Sequence, residues 1–234
     1  MIIGNGLIAS LFPDYDRENV IFFASGVSNS LETRKDRFAR EENLIRKTLQ
    51  ENPGKIFVYF STCSIYDSSK TGSDYVLHKL KMEQIIKNTV EKYLIGRVSN
   101  AVGKGGNPNL LMNYLTQAVR NGEEINVHIA ATRNLIDAED VRNIILDLLD
   151  KNDLNKIVNI AYPHNYSVIE ILEIIGRFYN KKLNMNLLES GSRYEIDIPN
   201  LMAYFKQHNL INKETYLYRI LEKYYVNAYD EKGK

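Results

Sequence analysis

Short apolar runs alternate along the chain with longer segments of helical periodicity, and this alternation restricts the fold more than any other feature. The apolar runs predict strands at Met1–Ile3, Val20–Ala24, Ile56–Phe60, Tyr93–Arg97 and Ile157–Ile160. The intervening segments predict helices at Arg37–Gln50, Tyr75–Glu91, Asn109–Asn121, Glu139–Asp150 and Val168–Asn180. Strands that are apolar on both faces are typical of a parallel sheet covered by helices on both sides. We therefore predict an α/β fold.

The C-terminal part of the chain has a different pattern. From Lys181 onward strand signals are few, and short helices are predicted around Ile198–His208 and Lys213–Tyr225. Ser167 followed by Glu170 predicts a capping box at the start of the last long helix.

Composition excludes several classes of protein. The 234 residues include 30 basic and 29 acidic side chains, so no broad positive field is available for nucleic acid. One cysteine, Cys63, rules out an internal disulfide framework and suits a reducing cytoplasm. The four histidines are scattered, and no metal site is predicted. No apolar run reaches the roughly 18 residues of a membrane span, and no secretory signal pattern opens the sequence. We expect a cytoplasmic protein that binds neither membrane nor nucleic acid.

A glycine-rich turn follows the first strand. Gly4-Asn5-Gly6-Leu7-Ile8-Ala9 matches the G-x-G-x-x-G/A pattern of dinucleotide-binding folds and leads into a run compatible with a helix. One glycine permits the tight turn, and the second lets the backbone approach a pyrophosphate at a helix N-terminus. We therefore predict that Gly4, Asn5, Gly6, Leu7 and Ile8 bind a cofactor. The alternative is an ordinary strand-to-helix turn.

An acidic residue is missing from the expected place. Dinucleotide-binding folds usually carry one about 20 positions after the turn, where it binds the adenosine ribose. Here the next strand, Val20–Ala24, is followed by Ser25-Gly26. Either the cofactor site departs from the pattern, or the second and third strands are absent. We favour their absence, because only one helix then separates this strand from the strand that ends at Ser61. Ala24, Ser25 and Gly26 then become cofactor-binding candidates.

Tyr75 and Lys79 supply the chemistry that the sequence most clearly suggests. Residues four apart on a helix lie on the same face, one turn from each other. A free phenol has a pKa of about 10, and a neighbouring cation favours the phenolate and brings the group closer to its working range. With Thr62 beside them, the two side chains form a proton-transfer site for an alcohol or ketone. The alternative is a Tyr–Lys pair on a solvated helix face.

These segments occur in the order found in the extended short-chain dehydrogenase/reductase family. The chain resembles its NAD-dependent epimerase/dehydratase branch, which acts on nucleotide sugars, with a shortened N-terminal half of the Rossmann fold. The matching segments are Gly4–Ala9, Val20–Ser25, Ser61-Thr62-Cys63-Ser64-Ile65-Tyr66, the Tyr75/Lys79 pair, Arg97–Gly103, Arg133–Val141 and Val158–Ala161 with Ser167-Val168.

The resemblance implies roles for single residues. Thr62, Tyr75 and Lys79 match the catalytic positions, and the cofactor-binding set gains Ser61, Tyr75 and Lys79. The implied substrate-binding residues are Ser64, Asn100, Arg133 and Arg193. Asn100 would face the substrate, and Arg133 would bind a nucleotide diphosphate with Arg193 as a second clamp. The alternatives are a turn residue for Asn100 and a surface ion pair for Arg133. Cys63 is interpreted as a packing residue and His78 as a helix-surface or interface residue.

The resemblance also narrows the reaction. A 4,6-dehydratase of this family has an Asp–Glu pair after the catalytic Thr, and this chain has Cys63-Ser64 there. That leaves a 4-ketoreductase or a 4-epimerase for a nucleotide-diphosphate sugar, with NAD or NADP as coenzyme. Loss of the adenosine pocket favours the reductase, because an epimerase retains its coenzyme. A non-catalytic dinucleotide-binding sensor or scaffold is the alternative of another class.

The expected domain organisation and assembly follow from the same resemblance. Residues 1–160 are predicted to form the Rossmann-like dinucleotide-binding domain, with 101–140 contributing in part to the substrate site. Residues 161–234 are predicted to form a small substrate-binding region. A homodimer through the helix of Tyr75 and its neighbour, and a role in making precursors of a surface polysaccharide, are expected from the family alone.

Overall fold

The computed structural model describes residues 1–105 and 110–226. The chain forms two compact units. The first comprises Met1–Ser99 and Ala138–Ala161, and the second comprises Asn100–Asp137 and Tyr162–Lys234.

The elements are numbered in chain order. The strands are β1 Ile2–Ile3, β2 Val20–Phe23, β3 Ile56–Thr62, β4 Tyr93–Val98, β5 Asn100–Val102, β6 Ile125–His128, β7 Thr132–Arg133, β8 Leu135–Asp137, β9 Lys156–Ile160, β10 Tyr166–Ser167 and β11 Met185–Leu188. The α-helices are α1 Lys35–Glu51, α2 Asp74–Thr89, α3 Leu111–Asn121, α4 Ala138–Asp150, α5 Val168–Tyr179, α6 Met202–Gln207 and α7 Lys213–Tyr225.

The first unit contains a parallel sheet. Within the described residues its five strands lie in the order β1-β2-β3-β4-β9. Ile3 of β1 pairs directly with Phe23 of β2, and no described strand lies on the other edge of β1. The predicted Rossmann-like sheet without its second and third strands is therefore confirmed.

Helices cover both faces of this sheet because its strands are apolar on both sides. Alternate residues such as Ile21, Phe23 and Phe57 form one core with Ile45 of α1 and Met82 of α2. On the opposite face, Phe12 stacks on Phe22 with ring centroids 4.3 Å apart. A Cβ on Gly96 of β4 would point to this face and would lie 3.4 Å from the side chain of Ile145 of α4. The period-two pattern of the strands thus explains why two helical layers are needed.

The second unit is built from small pieces. Its described strands form pairs: β5 with β8 and β6 with β11 are parallel, whereas β7 with β10 is antiparallel. Tyr162 and Tyr216 stack in its core with ring centroids 4.0 Å apart, and Phe205 meets Tyr162 edge-on. The predicted capping box of α5 is confirmed, since Ser167 and Glu170 each accept a hydrogen bond from the other's backbone N–H.

Two expectations about secondary structure were incomplete or wrong. The glycine turn leads not into an α-helix but into two 3₁₀ helices, Ala9–Leu11 and Pro13–Tyr15. Pro13 lacks the N–H that a continuing helix needs, and β2 begins soon afterwards. Strand signals are few after Lys181, and the pairing of β11 with β6 was not predicted. The predicted helix start at Asn109 lies outside the described residues.

Among the described residues, no helix is both long and apolar enough to cross a membrane.

Candidate active site

The carboxyl ends of β2 and β3 lie side by side, because neighbouring parallel strands end at the same edge of a sheet. Phe23 pairs with Tyr59, and further along β3 Ser61 pairs with Arg97 of β4. Ala24-Ser25-Gly26 therefore leaves the sheet at the edge where β3 ends with Thr62. In open α/β sheets ligands bind at this edge.

The glycine turn packs against the end of β2. Gly4 has a φ of +128°, and a Cβ there would lie 2.4 Å from the carbonyl oxygen of Ala24, so only glycine fits. A Cβ at Gly6 would meet nothing within 4 Å, which leaves open space beside the turn. No hydrogen bond within the described residues uses the backbone N–H groups of Asn5, Gly6, Leu7 and Ile8. Successive free amides beside open space are the donor set that a pyrophosphate accepts.

That donor set lacks one usual reinforcement. A long helix would add a positive end to its N-terminal amides. The 3₁₀ helix Ala9–Leu11 is too short to supply this field. The turn therefore fits a pyrophosphate by its backbone donors alone.

Thr62 is the last residue of β3, and its side chain caps the turn that follows. Its Oγ1 accepts a hydrogen bond of 3.0 Å from the backbone N–H of Ser64 and so caps the 3₁₀ helix Cys63–Tyr66. The residue is 5% exposed. No acceptor within the described residues takes the hydroxyl hydrogen of Thr62, which leaves that hydrogen for a ligand.

Tyr75 lies in the first turn of α2, which begins where the Ser73 hydroxyl accepts the backbone N–H of Val76. The Tyr75 side chain is buried and packs with Val27 and Val76. No hydrogen bond within the described residues uses its phenol hydroxyl. Tyr75 is thus a buried phenol with hydrogen-bonding capacity to spare.

Lys79 follows one helical turn later, and its ammonium is enclosed. Nζ lies 3.0 Å from Oε1 of Glu41, 3.1 Å from the Tyr59 hydroxyl and 3.5 Å from the carbonyl oxygen of Phe60. The backbone of Gly26 covers the ammonium, since a Cβ at Gly26 would lie 2.4 Å from Nζ. An ammonium has three donors, and each points at a protein group here. The prediction that this lysine also binds the cofactor did not foresee these protein contacts.

Glu41, which sequence reasoning missed, is the centre of this cluster. It is fully buried and accepts hydrogen bonds from the Val27 backbone N–H at 2.6 Å and from the Tyr59 hydroxyl at 2.6 Å. His78 Nε2 lies 3.1 Å from its second oxygen. Burial alone would raise the pKa of the Glu41 carboxyl, but the Lys79 charge and these hydrogen bonds outweigh it and lower that pKa. Burial, together with the Glu41 charge, raises the pKa of Tyr59 well above its ordinary value.

A sequence signal for Glu41 existed. It precedes Ile45 by four residues and Thr48 by seven, so it lies on the buried face of α1. A carboxylate on such a face needs a buried partner. His78 was interpreted as a helix-surface or interface residue, and the surface alternative is wrong: it is 7% exposed, faces Glu41, and its ring packs on Phe38.

A second buried ion pair lies on the same edge of the sheet. Glu83 of α2 is 1% exposed and receives two hydrogen bonds from Arg97, at 2.9 and 2.7 Å. Ser61 Oγ donates to the same carboxylate at 2.6 Å. Cys63 donates to the carbonyl oxygen of Arg97, and burial raises its thiol pKa to about 12. A thiol that stays protonated is consistent with a packing role for Cys63.

The remaining substrate-binding candidates lie in the second unit, apart from Ser64, which is partly buried in the first. Asn100 donates to the carbonyl oxygen of Asn134 at 2.7 Å. Arg133 is partly buried and bonds the carbonyl oxygen of Thr132, and it pairs with no carboxylate in the described part of the chain. Arg193 is exposed and lies on the neighbouring segment, since the Thr132 N–H donates to the Ser192 carbonyl oxygen. No cluster of three or more His, Cys, Asp or Glu side chains suited to a metal occurs among the described residues.

A parallel sheet with a glycine turn on its first strand, and a Tyr-x-x-x-Lys helix after its third, defines a dinucleotide-binding enzyme of Rossmann type. The model of the NAD dependent epimerase/dehydratase family matches residues 6–161. The chain therefore belongs to this family of NAD-dependent enzymes.

Solved structures with the same fold agree with this assignment. A UDP-glucuronic acid 4-epimerase from Bacillus cereus, solved with UDP-glucuronic acid and NAD, is 16% identical with a TM-score of 0.65, over 93% of this chain and 79% of that one. RMD from Pseudomonas aeruginosa, complexed with NADPH, is 15% identical with a TM-score of 0.66, over 94% and 86%. A dTDP-glucose 4,6-dehydratase from Bacillus anthracis, complexed with NAD, is 17% identical with a TM-score of 0.65, over 88% and 74%. No curated protein sequence matches the chain.

Proposed function

We propose that this chain is an NAD(P)-dependent 4-ketoreductase that acts on a nucleotide-diphosphate sugar. One observation carries the proposal: the hydroxyls of two buried residues, Thr62 and Tyr75, keep hydrogen-bonding capacity at the end of β3 and the start of α2. Their neighbours Ser61, Tyr59 and Lys79 are all engaged within the protein. Hydroxyls that lack a full set of protein partners, beside polar side chains that have theirs, are expected where a substrate oxygen binds.

The roles of the chain's own residues follow. Tyr75 passes a proton to the substrate oxygen, and Thr62 donates a hydrogen bond to that oxygen. Lys79 holds positive charge one turn from the phenol. The coenzyme's pyrophosphate is held by the free amides of Asn5, Gly6, Leu7 and Ile8. The segment Ala24-Ser25-Gly26 lies beside that turn and also contacts the coenzyme. When bound, the nicotinamide supplies the hydride chemistry, which no side chain can perform.

The substrate class rests on the second unit and on the relatives. Arg133 and Arg193 lie on neighbouring segments, and neither pairs with a carboxylate in the described part of the chain. Two guanidinium groups suit a diphosphate, because each can donate two parallel hydrogen bonds. Asn100 and Ser64 are the proposed contacts to the sugar. The UDP-sugar bound to the Bacillus cereus epimerase supports this class of substrate. We also propose that the product is a precursor of a surface polysaccharide.

The truncated front edge favours a reductase over an epimerase. An epimerase must hold its coenzyme through the whole reaction, which requires many contacts to the adenosine half. Here β1 has no described strand on its outer edge, and no acidic residue ends β2. A coenzyme that is held mainly by its pyrophosphate and nicotinamide half exchanges readily, as a reductase requires. Cys63-Ser64 in place of an acidic pair argues against a dehydratase.

The two other candidates predict different behaviour. A 4-epimerase is favoured by the relatives that act as 4-epimerases. A non-catalytic sensor or scaffold is favoured by the enclosure of Lys79, whose three donors are already used.

A single set of measurements separates the three. Purified protein is first assayed for retained NAD, then titrated with NADH and NADPH by calorimetry, and then mixed with NADPH or NADH and a panel of 4-keto nucleotide sugars. A reductase oxidises one reduced coenzyme for each sugar converted. Retained NAD with sugar interconversion and no net oxidation indicates the epimerase. Tight coenzyme binding without turnover on the whole panel indicates the sensor.

We also propose a homodimer through α1 and α2. Leu77 of α2 is 54% exposed on the outer face of the helix that carries Tyr75. A Leu77→Glu variant is expected to sediment as a monomer under conditions in which the wild type is a dimer. Leu187→Glu is the matched control, because Leu187 is equally exposed, at 56%, but lies on β11. Identical sedimentation of wild type and Leu77→Glu would contradict this interface.

A further inference from the structure

Lys79 is bound by Glu41, a side chain that sequence reasoning did not assign to the site. Its ammonium lies 3.0 Å from the carboxylate of Glu41, and both side chains are buried, at 3% and 0% exposure. Glu41 comes from α1, whereas Lys79 comes from α2, so the pair ties two helices together at the edge of the sheet. The separation of 38 residues means that no local helical spacing creates it.

The contacts of Glu41 reach every element around Lys79. Its carboxylate accepts the backbone N–H of Val27 from the loop after β2, the hydroxyl of Tyr59 from β3, and donors from both His78 and Lys79 of α2. The side chain of Val27 in turn packs against Tyr75. One carboxylate thus fixes the lysine, the strand beside it and the loop that touches the phenol.

The charge balance is as important as the geometry. A buried ammonium without a partner is strongly disfavoured, and the neutral amine replaces it. Glu41 supplies the compensating charge. The titratable groups that face this position from the surrounding elements are Glu41 of α1, Tyr59 of β3, and Tyr75, His78 and Glu83 of α2. Of these, Glu41 is the carboxylate in contact with the ammonium, whereas Glu83 is engaged by Arg97 and Ser61.

We infer that Glu41 is the positioning residue of the active site: it fixes the Lys79 side chain, supplies the carboxylate that faces its ammonium, and seats the loop Ser25–Val27 against Tyr75. The catalytic part of this inference rests on the proposed function, in which Lys79 holds positive charge one turn from the Tyr75 phenol. The structural part does not, because the Glu41–Lys79 pair forms within the chain itself.

The test uses the reactivity of Lys79, which needs no substrate. Amines react with acetic anhydride only when neutral and accessible, so isotopic labelling followed by peptide mass spectrometry reports the state of each lysine. In Glu41→Gln, which keeps the size of the side chain and removes its charge, we expect Lys79 labelling to rise at least tenfold. In Glu41→Asp, which keeps the charge, we expect labelling nearer to wild type.

Two controls separate positioning from general loosening. Glu42→Gln removes the same charge from the next residue, whose partners Lys81 and Arg46 lie at the surface, and should leave Lys79 unchanged. Ile45→Ala destabilises the same face of α1 without touching Lys79. Unchanged labelling in Glu41→Gln, or an equal rise in Ile45→Ala, would overturn the inference.

A second measurement links the pair to the coenzyme. In titrations followed by NADH fluorescence, Glu41→Gln is expected to bind NADH at least tenfold more weakly than wild type, with partial recovery in Glu41→Asp and none of the loss in Glu42→Gln. Equal affinity of Glu41→Gln and wild type would overturn the positioning role. If the wild type binds neither NADH nor NADPH, the proposed function fails, and the labelling result alone decides whether Glu41 holds Lys79.

Discussion

Two regions at the same edge of the first unit's sheet differ sharply in how they are built. At the front, within the described residues, β1 has two residues, one neighbouring strand and a glycine turn whose amides at Asn5 to Ile8 make no hydrogen bond. Where β3 and α2 meet α1, a group of polar side chains is buried and hydrogen-bonded: Glu41, Tyr59, Lys79, Ser61 and Glu83.

This difference shows that the two parts of the proposed dinucleotide site are built unevenly. The part proposed to carry proton chemistry is dense and cross-linked by a buried and a partly buried ion pair. The part proposed to hold the pyrophosphate offers backbone donors. Polar groups buried in a satisfied network define a single conformation, whereas free amides on a short turn do not. We therefore expect changes near β3 and α2 to affect turnover and stability strongly, and changes at the front edge to affect them weakly.

The largest expected effect is that of Tyr75→Phe. Loss of the phenol hydroxyl removes the proposed proton donor and should lower turnover by about 10²- to 10⁴-fold. Thermal unfolding and NADH binding should stay close to wild type, because the hydroxyl has no partner within the described residues. Steady-state kinetics with a 4-keto nucleotide sugar checks this. Tyr114→Phe, at an exposed tyrosine of the second unit, is the matched control. Full turnover in Tyr75→Phe would rule out its catalytic role.

Glu83→Gln should give the largest loss of stability. The variant leaves the Arg97 guanidinium without its bidentate partner, and Arg97 is largely buried with a side-chain exposure of 19%. Breaking a fully buried pair from one side costs about 3–5 kcal/mol, and because Arg97 is partly exposed the free energy of unfolding in urea should fall by up to that amount. Before the amino end of β2, Arg17→Gln removes an exposed pair with Asp150 and should change the free energy of unfolding by less than about 1 kcal/mol. Equal losses in the two variants would contradict the importance of the Glu83–Arg97 pair for stability.

The stability that the Glu41–Lys79 pair contributes should decrease in acid. Its carboxyl pKa is lowered in the folded chain from an ordinary value of 4.5. A lowered folded-state pKa contributes stability above about pH 4.5, and that stability is lost as the pH falls further. The stability difference between wild type and Glu41→Gln should therefore be largest above pH 5 and narrow below pH 4.5. The expected narrowing exceeds about 1.4 kcal/mol, the equivalent of one pKa unit. Urea unfolding at a series of pH values measures it, and a difference that stays constant with pH would contradict this.

The smallest expected effect is the difference in affinity between NADH and NADPH. Discrimination between NAD and NADP usually depends on an acidic or basic group at the end of the second strand, which this chain lacks. NADH and NADPH are expected to bind within about tenfold of each other, or about 1.4 kcal/mol. Calorimetric titration with each coenzyme measures the ratio. A preference of a hundredfold or more would mean that another part of the chain reads the adenosine ribose.

Much of this architecture followed from sequence patterns because the patterns are local. Each strand of the main sheet and each long helix of the first unit lies within a few residues of its prediction. The lack of strands two and three among the described residues also followed, because only one helix separates Val20–Ala24 from the strand that ends at Ser61. The second unit's short strands escaped prediction, because their pairing, such as β6 with β11, depends on distant segments and not on local periodicity.

The order of residues by itself determined the strands, the helices, the glycine turn and the spacing of Tyr75 and Lys79, because periodicity and helical geometry depend on near neighbours. Tertiary structure alone decided what surrounds Lys79. Glu41, 38 residues away, supplies the compensating charge, and His78 is drawn inward to the same carboxylate. A buried charge finds its partner in space and not along the chain, so the state of this lysine emerged only when α1, β3 and α2 packed together.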